Sequence, residues 1–220
     1  MSWRFITCTT LFVTCLLTAN VTASKLVTAG SLTLSAGIVI FPVSYILGDV
    51  LTEVWGYAAA RRVIWLGFGA NLLMVAAIWA GGALPPAPFW KGQAAYEEIL
   101  GQTPRILAAS FAAYLVGEFA NAYVLARLKI ATAGRWLWVR TIGSTVVGEG
   151  LDSLIFVALA FAGTVASGTL IVIFVNQWLV KVVYEALATP LTYAAVGWLK
   201  SQERLDTFDL HTDFNPLRLS

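Results

Sequence analysis

The residues that could do chemistry in this sequence are ionisable side chains set deep inside apolar runs. Glu118 lies near the middle of one run, Asp152 near the middle of the next, and Lys181 and Glu185 within the last. Glu149 precedes Asp152 by one helical turn, Asn121 follows Glu118 by one turn, and Tyr45, Asp49 and Glu53 recur every fourth residue. Residues three or four apart share a helix face, so each couple forms a polar stripe. A charge at the centre of a membrane helix costs about 2.5–3.5 kcal/mol on insertion scales. Three left unpaired would cost roughly 8–10 kcal/mol, comparable to the stability of a whole domain. Such groups must pair, bind a proton or face water. With Asn20, Asn176 and Gln177 as further donors and acceptors, the stripes predict a polar chamber among the helices. A solute pathway is the chemistry such a chamber serves.

Each pair also has a purely structural reading. Lys181 and Glu185 can neutralise one another along their own helix, and Asp49 and Glu53 can form a solvated helix end beside Arg61 and Arg62. Four such couples together are an expensive way of tying helices, which favours the pathway.

The elements that must position these groups follow from composition. Of 220 residues, 59% are hydrophobic and only 12% charged, and the mean hydropathy is +0.78. Soluble domains carry about 25% charged residues, so a soluble enzyme, a disordered chain and a nucleic-acid-binding module are excluded. The net charge of +2 is too small for a polyanion partner. Apolar runs cut the chain into six spans at 3–21, 34–55, 63–83, 106–128, 142–162 and 170–199, with Pro42 inside the second and Pro85, Pro86 and Pro88 after the third. The reading is an all-α polytopic membrane protein with six transmembrane helices in one domain, 1–199, and a polar cytoplasmic tail, 200–220. The last run is longer than a bilayer needs, and Pro190 is its natural bend.

Ten Lys and Arg residues, from Arg4 to Arg218, fall on one side of this layout and only Lys25, Lys91 and Arg105 on the other. That asymmetry places both termini in the cytoplasm. Trp3, Trp55, Trp136, Trp138 and Trp198 near span ends suit an interfacial belt. The first run could instead be a signal peptide, with Arg4 as its basic region and Val21-Thr22-Ala23 as a cleavage site. Its length and single basic residue favour a retained helix.

Other chemistries find little support. No G-x-x-x-x-G-K-[ST] loop is present, and no His or Cys set has zinc spacing, Cys8 and Cys15 being too far apart for a disulfide. A metal-dependent lipid-headgroup transferase could use Asp49, Glu53 and Arg61, but needs more carboxylates at one interface. The expectation is a transporter without cofactor or resident metal. Small residues at Ala109, Ala113 and Gly117, and at Ser144 and Gly148, form ridges that let helices approach closely.

Particular segments are recognisable. Phe41-Pro42-Val43-Ser44-Tyr45-Ile46-Leu47-Gly48-Asp49-Val50-Leu51-Thr52-Glu53-Val54-Trp55-Gly56-Tyr57, continuing to Arg61, is the most specific of them. It is joined by Asn20 with Lys25, Gly117-Glu118-Phe119 with Asn121, Arg140 to Ser144, and Gly148-Glu149-Gly150-Leu151-Asp152-Ser153. The tail adds Phe208-Asp209 and Phe214-Asn215-Pro216. Over nearly its whole length the sequence resembles the queuosine precursor transporter family, part of the vitamin uptake transporter group of bacterial inner-membrane proteins. The resemblance implies six transmembrane helices and import of 7-deazaguanines in their nitrile or aminomethyl form.

A 7-deazaguanine offers a ring N–H beside an exocyclic amine, two parallel donors that match one carboxylate. Glu149 or Asp152 is the expected acceptor, with Glu118 and Asn121 contributing from the facing helix. Asn20, Asn121, Gln177 or Lys181 would donate to the carbonyl, and Tyr45, Phe156 or Tyr184 would stack on the ring. Asp49 belongs to the same expected set, and Lys181 with Glu185 would set charge balance. The group is related in outline to substrate-binding components of ATP-driven vitamin importers. Those often carry an Ala-xxx-Ala docking ridge on the first helix, which this first helix lacks. The expected partners are the small-molecule cargo and the bilayer, without nucleic acid; a homodimer is left open.

Overall fold

The computed structural model describes residues 2–29, 32–101, 104–164 and 166–218. Within them the elements run α1 (Trp3–Thr22), β1 (Leu26–Ala29), β2 (Leu32–Ser35), α2 (Phe41–Trp55), α3 (Tyr57–Ala83), α4 (Gln93–Leu100), α5 (Pro104–Ala131), α6 (Leu137–Phe161) and α7 (Ser167–Glu203), with a 3-10 turn at Ala36–Val39. Helices dominate because lipid offers no partner to a backbone N–H or C=O, so each segment must satisfy its own. Threonines on the exterior follow the same rule. Thr7, Thr10 and Thr22 donate their hydroxyls to the carbonyls one turn back.

Among the described residues five helices, α1, α3, α5, α6 and α7, are long and apolar enough to cross a membrane, which makes the chain a multi-pass membrane protein. Large apolar side chains such as Leu73, Ile171, Leu187 and Leu191 point outward on them. The expected second span, 34–55, needs correction. Its first part is β2 and the 3-10 turn, and helix begins only at Phe41, leaving 15 residues. The cause is Pro42, which lacks an N–H and is tolerated in a helix only in its first turn. Pro42 therefore opens α2 instead of lying inside it. The all-α expectation gains an exception in the same place, since β1 and β2 form an antiparallel hairpin with Leu26 opposite Ser35. The short helix α4 is a second unpredicted element. At Pro190, α7 continues as helix from Ser167 to Glu203.

Apart from the short α4, successive helices alternate in direction, α2 included. Phe5 at the start of α1 packs its ring edge on Trp55 at the end of α2, centroids 5.3 Å apart. Arg4 reaches Glu203 at the end of α7 at 3.2 Å, so both chain ends lie at one end of the bundle. The hairpin, α4 and the α6–α7 link lie at the other. There Arg105 at the start of α5 donates to the carbonyls of Leu159 and Ala162 at the end of α6, a cation where the helix dipole favours one. α1 is part of the core, with Phe5, Cys8, Phe12 and Leu16 buried among α2 and α3 residues.

The tightest packing joins α5 to α6. A Cβ built on Gly148 would lie 2.6 Å from Asn121 Cβ and 2.9 Å from the Gly117 carbonyl oxygen, so the two backbones touch. This contact sets Glu118 and Asn121 of α5 against Glu149 and Asp152 of α6. Gly148→Val is expected to destabilise the protein by about 1–3 kcal/mol through overpacking, read as a lower melting temperature in detergent. Gly69→Ala, where a Cβ meets none of the described residues within 4 Å, is the control and should be neutral or slightly stabilising.

Candidate functional site

Inside the bundle, toward the hairpin end, lies a cavity of about 510 Å³. Its wall is mainly apolar, drawn from α1, α3, α5, α6 and α7 and from the segment leading into α2. Asn20, Asn71, Asp152, Gln177 and Lys181 bring polar groups to that wall. Phe41, Phe111, Tyr114 and Phe156 supply aromatic faces. An apolar volume of roughly 300–1,000 Å³ with a few convergent polar groups is the usual form of a small-molecule site.

Lys181 holds the polar side of this wall together. Its Nζ donates to Glu149 Oε2 at 2.5 Å and to Asp152 Oδ2 at 2.6 Å, and it lies 4.6 Å from the centroid of the Phe41 ring. The structural reading in which Lys181 neutralises Glu185 along α7 is thereby replaced by a bridge from α7 to two carboxylates on α6. On the opposite wall Asn20 donates to the Asn71 side-chain oxygen at 2.8 Å.

Of the ten residues expected at the site, Asn20, Asp152, Gln177 and Lys181 line the cavity. Glu149 stands directly behind Lys181. Tyr45, Asp49, Glu118, Asn121 and Glu185 are buried in the layer beneath, outside the lining. In that layer Asn121 donates to Asp49 Oδ1 at 2.7 Å, while Asp49 Oδ2, Glu118 Oε1, Asn121 Oδ1, Glu185 Oε1 and the Tyr45 hydroxyl have no hydrogen-bond partner among the described residues. Among the expected stacking rings Phe156 lines the cavity, and Tyr45 and Tyr184 do not. Asn71 and Phe41 were missed. Asn71 was legible as an amide inside an apolar run, the signal that singled out Asn20 and Gln177.

The end of the bundle away from the hairpin is closed by a second ionic cluster. Glu53, fully buried, accepts from Arg140 through both oxygens at 2.7 and 2.8 Å and from Lys200 at 2.5 Å. Lys129 lies 3.4 Å from the same carboxylate and donates to the Glu53 carbonyl oxygen at 2.6 Å. The solvated helix end expected at Glu53 beside Arg61 and Arg62 is thus a buried hub. Arg61 turns to the tail instead, donating to the carbonyls of Asp213 and Asn215 at 2.9 and 2.7 Å.

The tail is strapped across this end. Gly56, at φ +83°, makes the turn between α2 and α3, and Asp209 caps the buried start of α3 by accepting from Tyr57 N–H at 3.0 and 3.1 Å. Tyr57 and Trp65 donate to the Phe214 and Pro216 carbonyls. Asp206 pairs with Lys129 at 2.6 Å and Lys200 at 2.8 Å. Burial pushes the Asp206 carboxyl up, but hydrogen bonds from the two ammonium groups outweigh it and hold the carboxyl below the usual range. Its contribution to the strap is therefore present above about pH 4 and lost as the pH falls below that.

The family described as "Putative vitamin uptake transporter" matches residues 35–195. Over 187 residues the chain is 32% identical to the "Probable queuosine precursor transporter" of Bacillus subtilis, an alignment covering 84% of this chain and 82% of that one. The chain belongs to the queuosine precursor transporter family. The "Queuosine precursor transporter" of Escherichia coli is 29% identical over 124 residues, covering 55% of this chain and 52% of that protein. No solved structure matches. Family members are transporters, which sets aside the lipid-headgroup transferase. The family match spans α2, α3, α5, α6 and nearly all of α7, so it takes in Asp152, Lys181 and Glu53 together.

Proposed function

We propose that this protein imports 7-deazaguanine precursors of queuosine across the bacterial inner membrane, holding the base in the cavity beside Asp152. The observation that carries the reading is the juxtaposition of the Asp152 carboxylate, the Lys181 ammonium and the Gln177 amide on one wall of an otherwise apolar, aromatic-lined cavity. Two adjacent oxygens on Asp152 match the parallel N–H donors on one edge of the base. Gln177 or Asn20 suits its carbonyl, and Phe156 or Phe41 its flat face. Glu149 supports Asp152 from behind, and Asp49, Glu118, Asn121 and Glu185 form the polar floor. The end bearing Arg4, Arg61, Lys129, Arg140 and Lys200 faces the cytoplasm under the positive-inside rule, with the tail on that side.

Thermal unfolding of the purified protein with a small panel of bases tests this. At a hundredfold excess over Kd, a bound base adds about 2.7 kcal/mol, enough to raise the melting temperature of a chain this size by several degrees. The nitrile and aminomethyl 7-deazaguanines are expected to produce that shift. Adenine, which lacks the paired N–H edge, is expected to produce none. Equal shifts from adenine, or none from either deazaguanine, would overturn the assignment.

A further inference from the structure

We propose that Lys181 is a resident stand-in for the donor edge of the cargo. Its ammonium holds Glu149 and Asp152 whenever the chamber contains only water, and incoming cargo displaces it toward Glu185. This rests on the reading of the cavity as a deazaguanine chamber and adds to it the step by which the carrier returns without cargo.

The geometry supplies each part. Lys181 is on the cavity wall and satisfies both carboxylates from within the chain, at 2.5 and 2.6 Å. On Asp152 it donates to Oδ2, one of the two oxygens that the ring N–H and amine of the base would use, so lysine and cargo compete for one acceptor. Asp152 cannot serve both fully. A displaced ammonium needs another acceptor, and Glu185 lies one turn further along the same helix, buried, with Oε1 unpartnered among the described residues. Four methylenes give lysine the reach to move between acceptors one turn apart. The other buried cations among the described residues, Lys129, Arg140 and Arg61, are engaged with Glu53 and the tail at the far end and cannot substitute.

The exchange matters because an alternating carrier must close around its site twice per cycle, once loaded and once not. Occluding two carboxylates without a donor is costly. Cargo supplies the donors in the loaded passage, and Lys181 supplies them in the other. Without the lysine the loaded carrier still turns over, while the return is selectively slowed.

Proteoliposomes separate the two passages. Exchange of labelled 7-deazaguanine against internal unlabelled base needs only the loaded carrier, whereas net entry into base-free vesicles needs the return. In Lys181→Met the ratio of net entry to exchange is expected to fall about tenfold or more, and in Lys181→Arg to recover. An unchanged ratio in Lys181→Met, whatever the absolute rates, overturns the proposal. Wild-type protein that exchanges no deazaguanine overturns the cargo assignment and this proposal with it, whereas exchange with an unchanged ratio leaves that assignment standing. Should Lys181→Met fail to accumulate, Glu185→Gln decides. Removing the landing acceptor is expected to weaken deazaguanine binding about tenfold or more, and wild-type affinity there counts against the displacement.

Discussion

Replacing Glu53 with alanine is expected to lower the stability of the protein by about 3–5 kcal/mol, the cost of stripping a buried ionic cluster of its anion. That is a large part of the 5–15 kcal/mol typical of a folded domain. Arg140 would keep the Arg135 carbonyl at 2.6 Å but lose both of its carboxylate bonds. Lys129 would keep the backbone carbonyls at position 53 and at Thr207, and the one anion left for it and Lys200 to share would be Asp206, which is 49% exposed and well hydrated. Melting temperature in detergent and abundance in the membrane are the measurements, and an unchanged melting temperature would mean that water replaces the carboxylate without penalty. Asp206→Asn is the contrasting case. Half in solvent, Asp206 should contribute no more than about 1 kcal/mol.

Glu53 also shows where sequence reasoning runs out. Its three cationic partners are 76, 87 and 147 residues away, and helical spacing says only which stripe a residue occupies. Spacing placed Glu149 with Asp152 and Glu118 with Asn121 correctly, because those relations lie within one helix. It could not choose between Glu185 and the α6 carboxylates as partners of Lys181, since that depends on how α7 is rotated against α6. Spans were legible for a simpler reason. Runs of apolar residues long enough for lipid leave little alternative to helix, so α1, α5 and α6 begin and end within a few residues of the expected positions. The exception, α2, turned on Pro42, whose effect on the preceding backbone outweighed the continuous hydropathy. The tail contacts were invisible for the reason that hid Glu53. Asp209 caps α3 across 152 residues, and nothing local distinguishes it from any other aspartate in a polar segment.

Asp152→Asn is expected to weaken deazaguanine binding by roughly a hundredfold, within the range of about 2–5 kcal/mol for truncating one partner of a buried charged hydrogen bond. The change keeps shape and volume but replaces one carboxylate oxygen by an N–H₂ group. One donor of the base then meets an acceptor and the other meets a donor. Little global stability should be lost, because Lys181 retains Glu149 at 2.5 Å and Asp152 borders the cavity, where water can solvate the amide. Glu149→Gln should behave in the opposite sense. Glu149 is buried behind the lysine and outside the lining, so its loss should lower the melting temperature more and the affinity less. Titration of the purified variants with 7-deazaguanine, beside their unfolding curves, separates the two carboxylates. An Asp152→Asn protein that binds as tightly as the wild type would mean that the base does not take its donor edge to this carboxylate.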